Sequence, residues 1–120
     1  MPRSDEAEAW FHSVYTTIQL IPHGRVTSYG HIAAMIGRPE RPRQVGIALK
    51  HLPSSGEQTF NSNTVPWQRV VSARGIISPR DGNGAERQAS ALEAEGVEVT
   101  RTALGERKVD LSVYGWFPEE

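Results

Sequence analysis

The 120-residue chain contains no cysteine. That excludes disulfide staples, thiolate metal sites and any reaction that transfers a group onto a cysteine thiolate. It also fits a reducing compartment. No apolar run approaches the ~20 residues that a membrane-spanning helix needs. The first eight residues are largely polar and acidic and do not read as a signal peptide. The four histidines, His12, His23, His31 and His51, lack the paired spacing and carboxylate support of a metal site. No metal and no other cofactor is expected. The chain has no internal repeat and no low-complexity block. What is present is ordinary for a globular protein: 38% hydrophobic and 22% charged residues. That suffices for a single domain over residues 1–120 with one modest core.

The net charge of −1 conceals an asymmetry. Between His23 and Arg80 stand Arg25, Arg38, Arg41, Arg43, Lys50, Arg69, Arg74 and Arg80, against only Glu40 and Glu57, a net of +6. The remainder carries −7. A basic centre between acidic ends suits one face that attracts a polyanion and another that repels it. Chance clustering of solvated arginines is the plain alternative. Seven of the eight cations are arginine, whose planar fork suits phosphates and base edges.

The strongest periodic signal is Ala7, Trp10, Phe11, Val14, Tyr15 and Ile18, a core-facing helical stripe. Asp5 with Glu8 reads as its start, and Pro22-His23-Gly24 ends it. Val26 and Thr27 fit an extended link. Ser28 can cap a second helix through Met35, with Ile32, Met35 and Ile36 inward; Gly37 and Pro39 stop it. Pro42 suits the first turn of a third helix whose inner stripe is Val45, Leu49 and Leu52. Two short helices joined by a Gly/Pro turn resemble a helix-turn-helix, on its own a common pattern. Residues 54–64 are polar, contain glycine and lack periodicity, so they read as a mobile loop. Residues 65–72 and 76–77 read as extended, turning at Arg74-Gly75. A fourth helix is expected near residues 85–95, then short strands or extended pieces at 97–100 and 108–113. The aromatics of Tyr114-Gly115-Trp116-Phe117 are expected to dock on the body. The fold class is α+β, mostly helical, with a winged-helix-like helix-turn-helix.

Several motifs occur in order. They are Ile21-Pro22-x-Gly24-x-Val26-x-x-Tyr29-Gly30-x-Ile32-Ala33, Arg43-x-Val45-Gly46-x-Ala48, Pro66-Trp67-Gln68-Arg69-Val70, and Leu92-x-x-Glu95-Gly96. Together, over residues 21–96, they resemble the C-terminal domain of the O6-alkylguanine-DNA alkyltransferases. The pentapeptide looks like that family's Pro-Cys-His-Arg-Val signature, with Trp67 in the place of the reactive cysteine and Gln68 in that of its histidine. Alkyl transfer needs a soft nucleophile and an adjacent base. Indole offers no lone pair for attack, and an amide is no base near neutral pH. The resemblance therefore points to the non-enzymatic, alkyltransferase-like branch.

That resemblance implies roles, residue by residue. Arg43 would be the arginine inserted into the base stack, otherwise a solvated helix-terminal arginine. Tyr29 would crowd the 3′ phosphate and help turn the nucleotide outward. Thr27, Ser28 and the nearby amides would hold phosphates. Gly46 and Ala48 would let the third helix lie close to the groove, or would only permit tight helix packing. Trp67, Arg80, Val70 and Tyr29 would form the lesion pocket. Trp67 would be one wall, the carbonyls of Trp67 and Val70 would accept from guanine, and Arg80 would lie over the purine, where the enzymes have a tyrosine. Trp67 as a plain core residue and Arg80 as a surface loop residue are the alternatives. Leu52 replaces the enzymes' hydrogen-bonding asparagine. Glu95 is kept without a histidine to orient, which points to a structural role, with Arg69 as the candidate partner.

The expected function is recognition of O6-alkylguanine in duplex DNA, with flipping of the base but no removal of the alkyl group. The lesion would pass to nucleotide excision repair while being shielded from alkyltransferase. The partners would be damaged duplex DNA and repair proteins, with no membrane. The protein would be a monomer, nuclear in a eukaryote and otherwise cytoplasmic. The alternative is a lesion-independent helix-turn-helix regulator. An enzyme using water activated by Glu95, His51 or Asp81 is a third reading, but nothing places a base beside a nucleophile.

Overall fold

A computed structural model of the chain describes residues 4–54, 56, 58–79 and 82–118. They form two units, each with its own buried side chains.

The first unit is built from described residues of Met1–Leu20 and Tyr29–Trp67. Its first helix, α1, spans Asp5–Ile18. The cap is Ser4, one residue before the expected start: its hydroxyl accepts from the Ala7 amide at 3.1 Å. Asp5, Glu6 and Glu8 then lie in the first turn, where the helix dipole favours anions. Of the predicted stripe, Phe11, Val14, Tyr15 and Ile18 are buried, while Ala7 and Trp10 are half-buried. Helix α2 (Tyr29–Met35) and helix α3 (Pro42–Lys50) pack on each other and on α1. They form a helix-turn-helix, with Ile32 and Ala33 buried from α2 and Val45 and Ala48 from α3. Leu49 and Leu52 are only half-buried, so the inner stripe of α3 is turned toward Ala48. Met35 and Ile36 are also half-buried.

The described residues of 54–64 hold no regular element, and several of them are tied down by their own side chains. Asn61 is buried; its Nδ2 donates to the Gln58 carbonyl and its Oδ1 accepts from the Asn63 amide. Thr64 Oγ1 accepts from the Asn61 amide and donates to the Thr59 carbonyl. Phe60 packs against the rings of Tyr15 and His12.

The second unit takes Ile21–Ser28 and the described residues of Gln68–Glu120. Strand β1 (Thr27–Ser28) pairs in parallel with β2 (Val70–Val71), Thr27 opposite Val70. Residues 65–72 are therefore not wholly extended: Trp67–Arg69 make a tight helical turn before β2. Helix α4 (Gly84–Ala94) ends before Gly96, whose φ of 86° suits the left-handed position that closes a helix. A small antiparallel hairpin joins β3 (Thr100–Arg101) to β4 (Arg107–Lys108). The stretch expected to be extended at its end instead contains a short helix, α5 (Leu111–Tyr114). Asp110 explains the difference: its Oδ1 accepts from the amide and hydroxyl of Ser112 and starts a turn. The core of this unit is Val26, Val71, Ile77, Ala89, Leu92, Val97 and Val109. Tyr114 packs against it, and Phe117 is 46% exposed.

The turn predicted at Arg74-Gly75 is present, closed by the Gly75 amide on the Ser72 carbonyl at 2.9 Å. Gly75 has φ 81°, and a Cβ placed there would lie 2.2 Å from the Val109 carbonyl oxygen. Gly75→Ala is therefore expected to cost at least about 2 kcal/mol, from strain plus a backbone clash. A urea titration checks this; an unchanged midpoint would contradict the role of this turn in closing the unit.

Candidate nucleic-acid interface

In the first unit, Pro42 sets the first turn of α3, where its missing N–H costs nothing. Trp10 of α1 fixes that turn in two ways. Its Nε1 donates to the Gln44 carbonyl at 3.2 Å, and its ring lies 5.4 Å beneath the Arg41 guanidinium. Arg43 follows on the exposed side of this pinned turn, its side chain making no hydrogen bond or ion pair to another described residue. From there the exposed face of α3 runs through Ile47 and Lys50, with Gly46 half-buried beside them. The opposite face is closed: Val45 and Ala48 have no exposed surface, and the Tyr15 hydroxyl donates to the Ala48 carbonyl at 2.6 Å.

Tyr29, the first residue of α2, is half-buried near Gly46. A methyl added to Gly46 would meet only Tyr29 Cε1, at an ordinary 3.9 Å. Nothing inside the unit therefore requires glycine at this position. Ala48 differs: its side chain is internal, which corrects its reading as a groove-facing residue and leaves it a helix-packing role. Thr27 is likewise fully buried, so its side chain cannot reach a phosphate; its Oγ1 has no partner among the described residues. Ser28 is 6% exposed, and little of it is open to an anion.

In the second unit, Gln88 of α4 is almost wholly buried, and its Nε2 donates to the carbonyls of Gln68 (3.1 Å) and Val70 (2.9 Å). One acceptor site on the Val70 carbonyl, expected to face guanine, is thus already used. Sequence reasoning missed Gln88. The available signal was a polar residue within the inward stripe Ala85, Ala89 and Leu92. Trp67, the last residue of the first unit, is half-buried, and its amide donates to the Val65 carbonyl at 2.7 Å. Arg80 and Asp81 lie outside the described residues.

Glu95 has the structural role expected for it, with Arg69 as its ion-pair partner. Arg69 Nε lies 2.9 Å from Oε1, Gln68 Nε2 donates to Oε2 at 2.6 Å, and the Gly24 amide donates to Oε1 at 2.8 Å. Arg69 Nη1 continues to the Ile21 carbonyl at 2.8 Å. Burial pushes the Glu95 pKa up. The hydrogen bond from Arg69, those from Gly24 and Gln68, and the guanidinium charge outweigh it and hold the carboxyl below its ordinary value. A carboxylate held by three donors is a structural anion rather than a base for water. His51 is equally occupied: its ring Nδ1 lies 2.9 Å from the Ile47 carbonyl and the ring packs on Phe11. No cluster of three metal-ligating side chains occurs among the described residues, and none of their helices is long and apolar enough to cross a membrane.

The sequence over residues 9–97 matches the family described as the 6-O-methylguanine DNA methyltransferase DNA-binding domain, and the chain belongs to that family. Within it, the chain is 44% identical over 117 residues to alkyltransferase-like protein 1 of Schizosaccharomyces pombe, covering 97% of this chain and 99% of that protein. It is 38% identical over 114 residues to the DNA base-flipping protein of Escherichia coli, covering 95% and 79%. The crystal structure of the S. pombe protein in complex with damaged DNA containing O6-carboxymethylguanine matches with a TM-score of 0.79 at 45% identity, covering 98% of this chain and 100% of that one. Mycobacterium tuberculosis O6-methylguanine methyltransferase matches with a TM-score of 0.61 at 32% identity, over 78% of this chain but only 50% of that one. With no cysteine in the chain, the protein stands in the alkyltransferase-like branch and is not an alkyl-accepting enzyme. The mostly helical α+β fold read from the sequence is the fold of this family.

The lowered Glu95 pKa fixes a pH dependence. Stability from this carboxylate is fully present above its unfolded value of about 4.3 and is lost as pH falls through the lower folded value. Glu95→Gln is expected to lower stability near pH 7 by about 2 kcal/mol, through loss of charged hydrogen bonds. The gap to the wild type should close on acidification. Thermal melts of both proteins across the acidic range test this; a gap that stays constant down to about pH 2 would show that the Glu95 charge is not the cause.

Proposed function

We propose that this protein recognises O6-alkylguanine in duplex DNA, turns the base out of the stack and holds it with the alkyl group intact. The observation that carries the reading is an exposed, arginine-bearing helix face in a chain that lacks the chemistry of alkyl transfer. Arg43 stands free on a pinned helix with Gly46 one turn on, while Trp67-Gln68 replaces the residues that alkyl transfer needs. On this reading Arg43 fills the space left by the base, Tyr29 crowds the 3′ phosphate, and Ser28 lies beside the backbone. Trp67 and Arg80 contact the extruded purine, and the remaining acceptor capacity of the Val70 carbonyl is directed to it.

Extrusion costs a few kcal/mol in stacking and pairing. Backbone attraction to a basic face offsets part of that. Stacking on an aromatic side chain contributes about 1–3 kcal/mol, and a guanidinium over the ring a further ~0.5–2 kcal/mol. The whole chain acts as one monomeric DNA-binding module, nuclear in a eukaryotic cell and otherwise cytoplasmic. It passes the lesion to nucleotide excision repair proteins and keeps alkyltransferase from it. The damaged-DNA complex of the S. pombe relative supports the DNA partner.

The test is affinity for one duplex with and without a single O6-methylguanine at fixed salt, followed by a protein mass spectrum. Tighter binding to the lesion with unchanged mass is expected, and Arg80→Ala should narrow that preference. Equal affinity for both duplexes would replace this reading with a lesion-independent regulator. A separate measurement concerns Gly46→Ala. Alanine should raise folding stability by about 0.5–1 kcal/mol, because glycine is a poor helix former. It should weaken DNA binding, because the added methyl stands between helix and groove. A variant that is more stable and binds equally well would remove α3 from the interface at this point.

A further inference from the structure

Ile47 is 41% exposed in the middle of the α3 face that carries Arg43 and Lys50. An apolar, β-branched side chain is out of place between two cations on a solvated helix. Its spacing is regular. Ile47 lies four residues after Arg43, about 6 Å further along the axis, and Lys50 lies three residues beyond it on the same side. The buried positions of α3, Val45 and Ala48, are on the other side, so Ile47 is not needed to close the core. Its backbone has a separate duty, as its carbonyl meets the His51 ring nitrogen. The side chain is therefore displayed, and rigidly so. Branching at Cβ leaves it essentially one rotamer in a helix, and Trp10 fixes the first turn of that helix.

We propose that Ile47 is a direct DNA-contacting residue, which packs its side chain on the deoxyribose wall of the groove that α3 enters. The inference rests on the proposed DNA-binding function and deepens it by assigning the apolar part of the contact. Sugars present carbon-rich surface at every step of the duplex. An aliphatic side chain on them adds affinity that is blind to base sequence and releases no counterions. Arg43 and Lys50, one turn to either side, supply charge; Ile47 supplies the salt-independent remainder. This division suits a protein that must find a lesion in any sequence context.

The test compares Ile47→Gln, Ile47→Leu and Lys50→Gln with the wild type. Dissociation constants are measured for lesion-containing and undamaged duplexes over a series of salt concentrations, and a thermal melt checks that each variant folds. Ile47→Gln is expected to weaken binding to both duplexes by a similar factor, about three- to tenfold, with the salt slope unchanged. Ile47→Leu should restore most of the loss, because a carbon surface is kept. Lys50→Gln should instead reduce the salt slope by about one. Unchanged affinity in a folded Ile47→Gln variant overturns the proposal. So does a change in salt slope there equal to that of Lys50→Gln. The readout on undamaged DNA is independent of lesion preference, so a protein that fails to prefer O6-methylguanine refutes the lesion-binding reading without deciding the role of Ile47.

Discussion

The second unit depends on one anion. Glu95, at the end of α4, accepts from the Gly24 amide, from Gln68 and from Arg69, and Arg69 continues to the Ile21 carbonyl. Three stretches far apart in sequence are thereby tied to one carboxylate: the turn that leads into β1, the turn that leads into β2, and the end of α4. Each of the two short strands makes only a two-residue pairing, too little to fix its own register. The carboxylate supplies the constraint that so short a ladder lacks. In the alkyltransferases that this chain resembles, the matching glutamate orients a histidine. Here the neighbour is Gln68, which donates its hydrogen bond at every physiological pH. The network therefore has no titratable side chain at position 68.

Much of this architecture was legible because periodicity and stop residues agree. The α1 stripe from Phe11 to Ile18, the start of α3 at Pro42 and the close of α4 at Gly96 lie where the sequence pattern puts them. What was not legible depends on partners remote in sequence or on single capping atoms. Nothing local in Trp67-Gln68-Arg69 distinguishes a tight helical turn from a strand. Asp110 starts a helix through bonds to Ser112, where an alternating pattern reads as extended. Gln88 is polar on a helix of ordinary composition, and only the carbonyls it meets, those of Gln68 and Val70, explain its burial. At the candidate interface the residue types were readable from motif order, but burial was not. Thr27 and Ala48 carry the right chemistry and size, yet both face inward, because helical and strand phase decides exposure and the motif does not report it.

The helix-turn-helix shows how internal and external demands can be separated residue by residue. Val45 and Ala48 answer to packing, and the Tyr15 hydroxyl on the Ala48 carbonyl leaves that face no freedom. Gly46 answers to nothing inside the unit, since the nearest atom to an added methyl is at contact distance. A helix interior bears a cost for glycine of roughly 0.5–1 kcal/mol. On the proposed reading, that cost is offset by letting the DNA groove come close to α3. Trp10 fits the same account from the other side. By holding Gln44 and Arg41 it converts a helix start without a side-chain cap into a fixed platform for Arg43.

Loss of the nucleophile also changes what the bound state must achieve. A transferase needs to hold an extruded base only for as long as one alkyl transfer takes, because the covalent bond then makes the outcome permanent. A protein that only binds has no such step, and its occupancy of a lesion is set entirely by equilibrium affinity and dissociation rate. Every kcal/mol spent on unstacking must be recovered by contacts that persist. On the proposed reading, tryptophan at the position of the thiol serves that requirement. The substitution that removes the reactive atom adds the largest aromatic surface available, worth about 1–3 kcal/mol against a stacked base. On that reading, abolished chemistry and prolonged binding follow from the same residue.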